Sequence, residues 1–470
     1  MNIWTIEEIV KATGGKLEQA GTRPIEGVGT DTRSDLSGKI FFALKGDHFD
    51  AHEFAGRAAD REGASVLIVD RKIPKVTSET TVIRVEDVLK SLQKFGSWHR
   101  SRWTGKLVGL TGSNGKTTTK EFCYTILSQK FPTLCTKGNL NNHIGVPLTL
   151  LELRPHHKLA IVEMGMNHAG EIDLLTKIAL PDIVIVTNVG RAHIEFFDSI
   201  DGIAQAKEEI YEAAPKGATR IYNLDSQYTA TMRARAPGGC KILTFSSYAR
   251  DVDVSFKERV LTLDYVEIQG VIGKDPGQVK IPSFGRQQVS NAMAASCVAL
   301  ACGLDAPLIW KGLSLCKSGW GRGQVVDLES GAKLLFDAYN SNPDSVAALL
   351  ENFAKLSCRG KKYIVFGDML ELGEQSKLLH TQMGEMIADV GVEGVLLIGA
   401  RARDVENGLK SRGFRKTIVV SETYEEKLAT SFGAVLETGD MVVVKGSRGM
   451  HLERVILECF RPQNFEKNSK

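Results

Sequence analysis

Between residues 107 and 119 the chain reads LVGLTGSNGKTTT. An apolar run enters Gly112 and Gly115, Lys116 and a row of hydroxyls follow, and a helical pattern takes over. Strand, loop and helix in that order let glycines turn backbone N–H groups onto phosphate oxygens at a helix N-terminus. Thr111, Gly112, Ser113, Asn114, Gly115, Lys116, Thr117 and Thr118 are thus expected to cradle a nucleotide's phosphates. Lys116 would reach the outer phosphates, and the Thr117 hydroxyl would ligate Mg²⁺. The loop is a shortened variant, with two residues between Gly112 and the Gly115-Lys116 pair. An ordinary Gly-rich turn is the competing reading. The flanking strand and helix supply the context the phosphate loop needs.

The chain's 470 residues exceed one ordinary core, so two or three domains are expected. Residues 1–104 mix short strands (39–44, 65–69) with a helix at 51–63, and Thr5 with Glu8 reads as a capping box. Residues 105–316 alternate apolar strands (106–111, 159–164, 183–189, 219–224, 241–246) with amphipathic helices (116–129, 170–179, 200–214, 286–302). That alternation predicts a parallel, doubly wound sheet with ligands beyond its carboxyl edge. Residues 251–281 alternate polar and apolar and predict antiparallel strands. Three glycines within 317–323 mark a linker. Residues 317–470 predict a second, smaller doubly wound domain, with strands at 333–338, 362–366, 394–398, 416–420 and 440–445. Its helices are expected at 343–356, 376–390, 402–411, 422–432 and 450–459. The fold class is therefore α/β in three domains: a small mixed N-terminal one, a central P-loop ATPase-type one and a C-terminal Rossmann-like one.

Charge narrows the partners. Net charge is +3, from 59 basic and 56 acidic residues, which argues against nucleic-acid binding through a general basic field. No apolar run approaches membrane-spanning length, and the N-terminal stretch lacks a signal-peptide core. Eight scattered cysteines without a C-x-x-C pair read as small core residues of a reduced, cytoplasmic chain.

Several polar groups fall where strands should end. Glu163 closes LAIVE, Asn188 closes IVIVTN, and His193 follows in VGRAH. An acid at the end of a neighbouring strand commonly holds the Mg²⁺ of a P-loop site, while the alternative is a surface carboxylate. Lys207 lies early in a helix and reads from its position alone as an exposed lysine paired with an acid. The segment GNLNNHIGVP, with Asn139 and Asn142, is rich in amides that suit a polar substrate or simply turns. Asp337 and Asn340 follow a strand of the last domain, and Arg322 in the linker could bring charge to a nucleotide. Near the N-terminus Thr32, Arg33 and Lys45 lie in turns, either solvated or forming a phosphate or uracil pocket.

Together GSNGKT, GNLNNHIGVPLTLL, EMGMNHAGEI, TNVGRAHIEFF, AKEEI, DAYNSNPDS, GDMLELGE and KGSRGMHLERV stand in the order found in the Mur ligases, which the chain closely resembles from about residue 25 to 460. These are ATP-dependent amide-forming enzymes of peptidoglycan synthesis. YNSNPDS, GDMLELGE and KGSR favour the member that adds D-alanyl-D-alanine to UDP-N-acetylmuramoyl-tripeptide. The Asp-Asn-Pro-Arg signature of the diamino-acid-adding sister is not found. The resemblance implies that residues 112–118 cradle ATP, that Thr117 and Glu163 serve one Mg²⁺, and that Glu163 and His193 serve a second. Lys207 matches a lysine that can be carbamylated into a metal-binding anion, which reverses its first reading. Asn291 matches an adenine-side asparagine, with Gln287-Gln288 replacing the common His-Asn. Arg322, Asp337 and Asn340 match the C-terminal side of the ATP site. Thr32, Arg33 and Lys45 match the uridine-diphosphate side, and Asn139, Asn142 and Arg191 are placed with the substrate.

The implied reaction forms an acyl phosphate on the tripeptide, and the dipeptide amine then attacks it. A domain swinging in would exclude water. The implied enzyme is a monomer, without nucleic acid or membrane partners. Rival readings are a sister ligase or folate-type ligase adding another amino acid, and a regulatory nucleotide-binding protein. The latter needs neither the Asn-rich segment nor a third domain. Intact Lys116, Glu163, His193 and Lys207 argue against an inactive scaffold.

Overall fold

The computed structural model describes residues 3–46, 48–463 and 465. Among them the strands form three sheets, of five, nine and six. In the largest, Lys106–Thr111 lies centrally between Leu159–Glu163 and Ile183–Val186, all parallel. Thr133–Cys135 flanks one side, and Thr219–Asn223 and Ile242–Phe245 continue the other. Val108, Leu110, Ile161, Ile183 and Ile185 are buried, because helices cover both faces of these strands. Val254–Leu261, Val266–Ile272 and Asp275–Ile281 extend the same sheet as antiparallel ribbons, as their alternation predicted.

The helix Lys116–Leu127 packs Phe122 and Ile126 into one core with Gln287–Ala301. Each such buried side chain stabilises by about 1.5–3 kcal/mol. Gln287–Ala301 is buried along most of its length, as its run of Ala, Ser and Cys permits. These two helices fix the phosphate loop against the sheet.

The first sheet runs Lys16–Gln19, Thr81–Arg84, Val66–Val69, Lys39–Phe42, Gly27–Gly29, parallel except for the first strand. The helix Ile6–Thr13 starts on the expected Thr5/Glu8 capping box. The helix Val88–Arg102 buries Leu92 and Phe95 in this unit's core. Its Arg100 then crosses to the central unit, donating to the carbonyls of Ala179 and Leu180 and to Asp182. The third sheet orders as Gln324–Asp327, Lys333–Asp337, Met441–Lys445, Lys362–Gly367, Gly394–Ile398, Thr417–Ser421. Its first strand is antiparallel and the rest are parallel.

Some expected elements shift. The strand expected over 183–189 stops at Val186, because Thr187 and Asn188 turn to bond the phosphate loop. The helix expected over 51–63 divides into the 3₁₀ turn Ala51–Phe54, capped by Asp50, and the helix Ala55–Asp60. Residues 422–432 were expected to be helical throughout, but the helix begins at Glu426. At the end, Glu453–Val455 passes into a π-helical turn, Ile456–Phe460. The edge strand Gln324–Asp327 and the helix Gly145–Leu151 went unpredicted. Just ahead of that helix, Asn142 Oδ1 accepts from the N–H groups of Ile144 and Gly145.

Candidate active site

Gly112 and Gly115 shape the loop. Gly112 has φ +152°, and a Cβ there would lie 1.9 Å from Thr187 Oγ1. Gly115 caps the helix at φ +79°, with its Cβ position 2.4 Å from Asn291 Oδ1. Only glycine combines that backbone with that closeness. Ser113 Oγ donates to Gly190 O at 2.9 Å and accepts from Gly190 N–H at 2.8 Å. The Asn114 N–H donates to Asn188 Oδ1 at 2.8 Å, and Thr187 Oγ1 donates to Asn114 O at 2.6 Å. The loop between residues 187 and 193 thus acts as a brace for the phosphate loop.

Lys116 folds back so that Nζ donates to Gly112 O at 2.7 Å. Burial pushes its pKa down, and the Glu163 carboxylate opposes that shift. Glu163 is 2% exposed. Asn141 Nδ2 donates to Glu163 Oε1 at 2.9 Å, while Oε2 is buried without a donor. An unpartnered carboxylate oxygen in a closed site is costly unless a cation or proton meets it.

Lys207 is 1% exposed, and among the described residues no acid is recorded acting on it. Burial, and then the charge of Lys116, depress its pKa well below the lysine range. Its expected solvent-exposed ion pair is therefore corrected: the helix Ile200–Ala213 turns Lys207 inward. Carbamylation of this amine would place a negative charge in the pocket beside Lys116. The unpartnered Oε2 of Glu163 fits a bound divalent cation.

The C-terminal unit closes the other wall. Arg322 donates to Thr117 Oγ1 at 3.0 Å and stacks over Tyr339 at 4.1 Å from the ring centroid. Asn342 Nδ2 donates to Asn114 Oδ1 at 2.8 Å, and Arg191 N–H donates to Asp344 Oδ2 at 2.7 Å. Lys445 Nζ, itself buried, bridges Asp337 Oδ2 and Asn340 O at 2.8 Å each. His193 Nδ1 lies 2.6 Å from Glu371 Oε2. Nδ1 is buried, and the short separation pairs the two side chains. That pairing holds the Glu371 carboxyl below its usual range.

A cleft of about 710 Å³ joins these groups. Ser113 to Thr118, Glu163, His193, Asn291, Arg322, Asp337, Asn340, Asn139 and Asn142 all line it. Thr111 is buried at the strand end and Gly112 beneath the loop, both behind the cleft wall. Among the described residues Lys207 and Arg191 are not part of the cleft lining, though the Arg191 N–H donates to Asp344, which is. Thr32, Arg33 and Lys45 sit on the first sheet's unit, away from the cleft. Arg33 is largely exposed and makes a bidentate pair with Asp31. Asn141, Asn342, Asp344 and Glu371 had not been singled out. Asn141 does carry a sequence signal, since it lies between Asn139 and Asn142 in the amide-rich segment.

Residues 110–299 match the Mur ligase middle domain, and residues 321–448 match the Mur ligase glutamate ligase domain. UDP-N-acetylmuramoyl-tripeptide–D-alanyl-D-alanine ligase of Bacillus subtilis is 33% identical over 457 residues, covering 96% of both chains. The crystal structure of MurF from Acinetobacter baumannii superposes with a TM-score of 0.87 at 33% identity, covering 96% of this chain and 98% of that one. MurF ligase from Thermotoga maritima in complex with ADP gives 0.79 at 30% identity, covering 92% and 96%. With both domain types matched in order and relatives similar from end to end, this chain belongs to the Mur ligase family.

Proposed function

We propose that this chain joins D-alanyl-D-alanine to the terminal carboxylate of UDP-N-acetylmuramoyl-tripeptide, converting ATP to ADP and phosphate. The observation that carries the reading is one cleft walled by the phosphate loop, by buried Glu163 and by the C-terminal unit's Arg322. The matched relatives carry that activity in their names, and one was solved with ADP. A carboxylate and an amine do not condense in water without activation. In this reading the phosphate loop holds ATP, with Asn291 on the adenine side, and the tripeptide carboxylate takes the γ-phosphoryl group. The amine of the dipeptide then attacks the acyl phosphate, and phosphate leaves.

Lys116 and Arg322 are the cations that balance charge on the transferring group. Thr117, Glu163, His193 and carbamylated Lys207 are the residues that would hold Mg²⁺. When bound, the metal supplies Lewis-acid neutralisation of the phosphate oxygens. Thr32, Arg33 and Lys45 would take the uridine diphosphate, with Asn139, Asn142 and Arg191 along the peptide. Residues 1–104, 105–316 and 317–470 then divide the work into sugar-nucleotide binding, ATP binding, and closure with dipeptide binding. The reading includes a monomeric, cytoplasmic enzyme. Among the described residues no helix is long and apolar enough to cross a membrane, and the cysteines are free.

The test supplies the tripeptide nucleotide, ATP and a panel of amino acids and dipeptides. ADP release that depends on D-alanyl-D-alanine, with the pentapeptide nucleotide identified by mass, is the expected result. Release dependent on another amino acid, or on none, would overturn the assignment.

A further inference from the structure

His193 and Glu371 meet across two units that share no sheet. His193 follows the central strand Ile183–Val186, and Glu371 follows Lys362–Gly367 of the third sheet. Both are non-glycine residues in the left-handed region, at φ +61° and +62°. Such backbones cost about 1–3 kcal/mol each and persist only where the surroundings hold them. The Glu371 loop is held at several points. Buried His380 accepts from Met369 N–H at 3.0 Å, and its other ring nitrogen lies 2.7 Å from Ser376 O. Ser447 Oγ accepts from Leu370 N–H at 2.9 Å, and Ser447 N–H donates to Asp368 O at 3.0 Å. The Glu195 N–H reaches back to Glu371 O at 3.3 Å.

The imidazole is fixed from one side. Its Nδ1 is sealed from solvent against Glu371, so Nε2 is the ring nitrogen left to the cleft that Glu163 also lines. A ligating imidazole takes its tautomer and orientation from the acceptor on its other nitrogen. We propose that Glu371 is a positioning residue: it holds His193 with the proton on Nδ1 and presents Nε2 beside Glu163. Because Glu371 comes from the C-terminal unit, the metal site is complete only when that unit is docked. This inference rests on the reading of His193 as a metal-site residue given above.

The test uses the full chain and Mn²⁺ as probe, with a non-hydrolysable ATP analogue, reading free Mn²⁺ by electron paramagnetic resonance. Glu371→Ala should weaken Mn²⁺ binding about 10–100-fold, the usual effect of losing an outer-shell partner. Glu371→Gln should lose less, since its amide oxygen still accepts from Nδ1–H, and it fills the same space if the alanine variant fails to fold. His193→Ala combined with Glu371→Ala should bind no more weakly than His193→Ala alone. Wild-type Mn²⁺ affinity in both Glu371 variants, with His193→Ala impaired, overturns the inference while leaving the metal reading of His193 standing. Losses that simply add in the double variant overturn it too. Unchanged affinity in His193→Ala overturns both.

Discussion

Replacing Gly115 with alanine combines two separable penalties. Its φ of +79° forces alanine into the left-handed region, at about 1–2 kcal/mol. The new methyl also falls 2.4 Å from Asn291 Oδ1, so Asn291 must move. That side chain accepts from Thr119 Oγ1 at 3.3 Å and donates to Gln288 at 2.9 Å, bonds of about 1 kcal/mol each. Gly170 provides the control: it caps the helix Glu171–Ala179 at φ +85°, with nothing within 4 Å of its Cβ position. Both substitutions stiffen the unfolded chain alike, offsetting about 0.4–1 kcal/mol in each. Gly115→Ala should therefore lose about 2 kcal/mol more than Gly170→Ala, from the two hydrogen bonds alone. Urea unfolding, compared at unchanged slope, measures the difference. The KM for ATP should rise in Gly115→Ala and stay put in Gly170→Ala. Equal losses in the two variants would refute the role assigned to Asn291.

Three other outcomes are expected. Glu163→Gln keeps an acceptor for Asn141, so stability should change by less than about 1 kcal/mol, while kcat falls about 10²-fold or more; stopped turnover assays and a thermal melt check both halves. Arg322→Lys loses the guanidinium that donates to Thr117 and stacks on Tyr339, and should raise the KM for ATP by about tenfold while leaving the melting temperature close to wild type. The third concerns acid. His193 holds the Glu371 carboxyl below its usual range, so its stabilising contribution is full above the unfolded carboxyl value, about 4.3, and fades as pH falls through the native one. The gap in melting temperature between wild type and Glu371→Gln should shrink as pH drops below about 4; a gap indifferent to acid would speak against the pairing.

What could be read ahead of the structure was whatever neighbouring residues encode together. The phosphate loop, the strand ahead of it and the helix behind it were legible because glycine spacing and apolar periodicity are local signals. Edge strand Gln324–Asp327 was not, since four residues beside a Gly-rich linker show no periodicity. The site's second wall was hidden for another reason. Asn342 meets Asn114 from 228 positions away, and Asp344 meets Arg191 from 153. Each partner, taken alone, is a loop residue with ordinary turn chemistry. The burial of Lys207 was equally silent: its helix position says nothing of which face turns inward until the sheet is in place, and only the family resemblance pointed there.

The nucleotide loop already has its polar groups engaged by the protein. Lys116 rests on Gly112 O, the Asn114 amide on Asn188, and Thr117 under Arg322. A nucleotide entering here trades partners with the protein. Each trade returns roughly the bond it breaks, so the net gain per contact is small. The same ledger applies in reverse when the diphosphate departs: lysine, amide and hydroxyl each have somewhere to return. A catalyst that must turn over benefits from such an exchange, since a product gripped by otherwise unsatisfied donors would be slow to go.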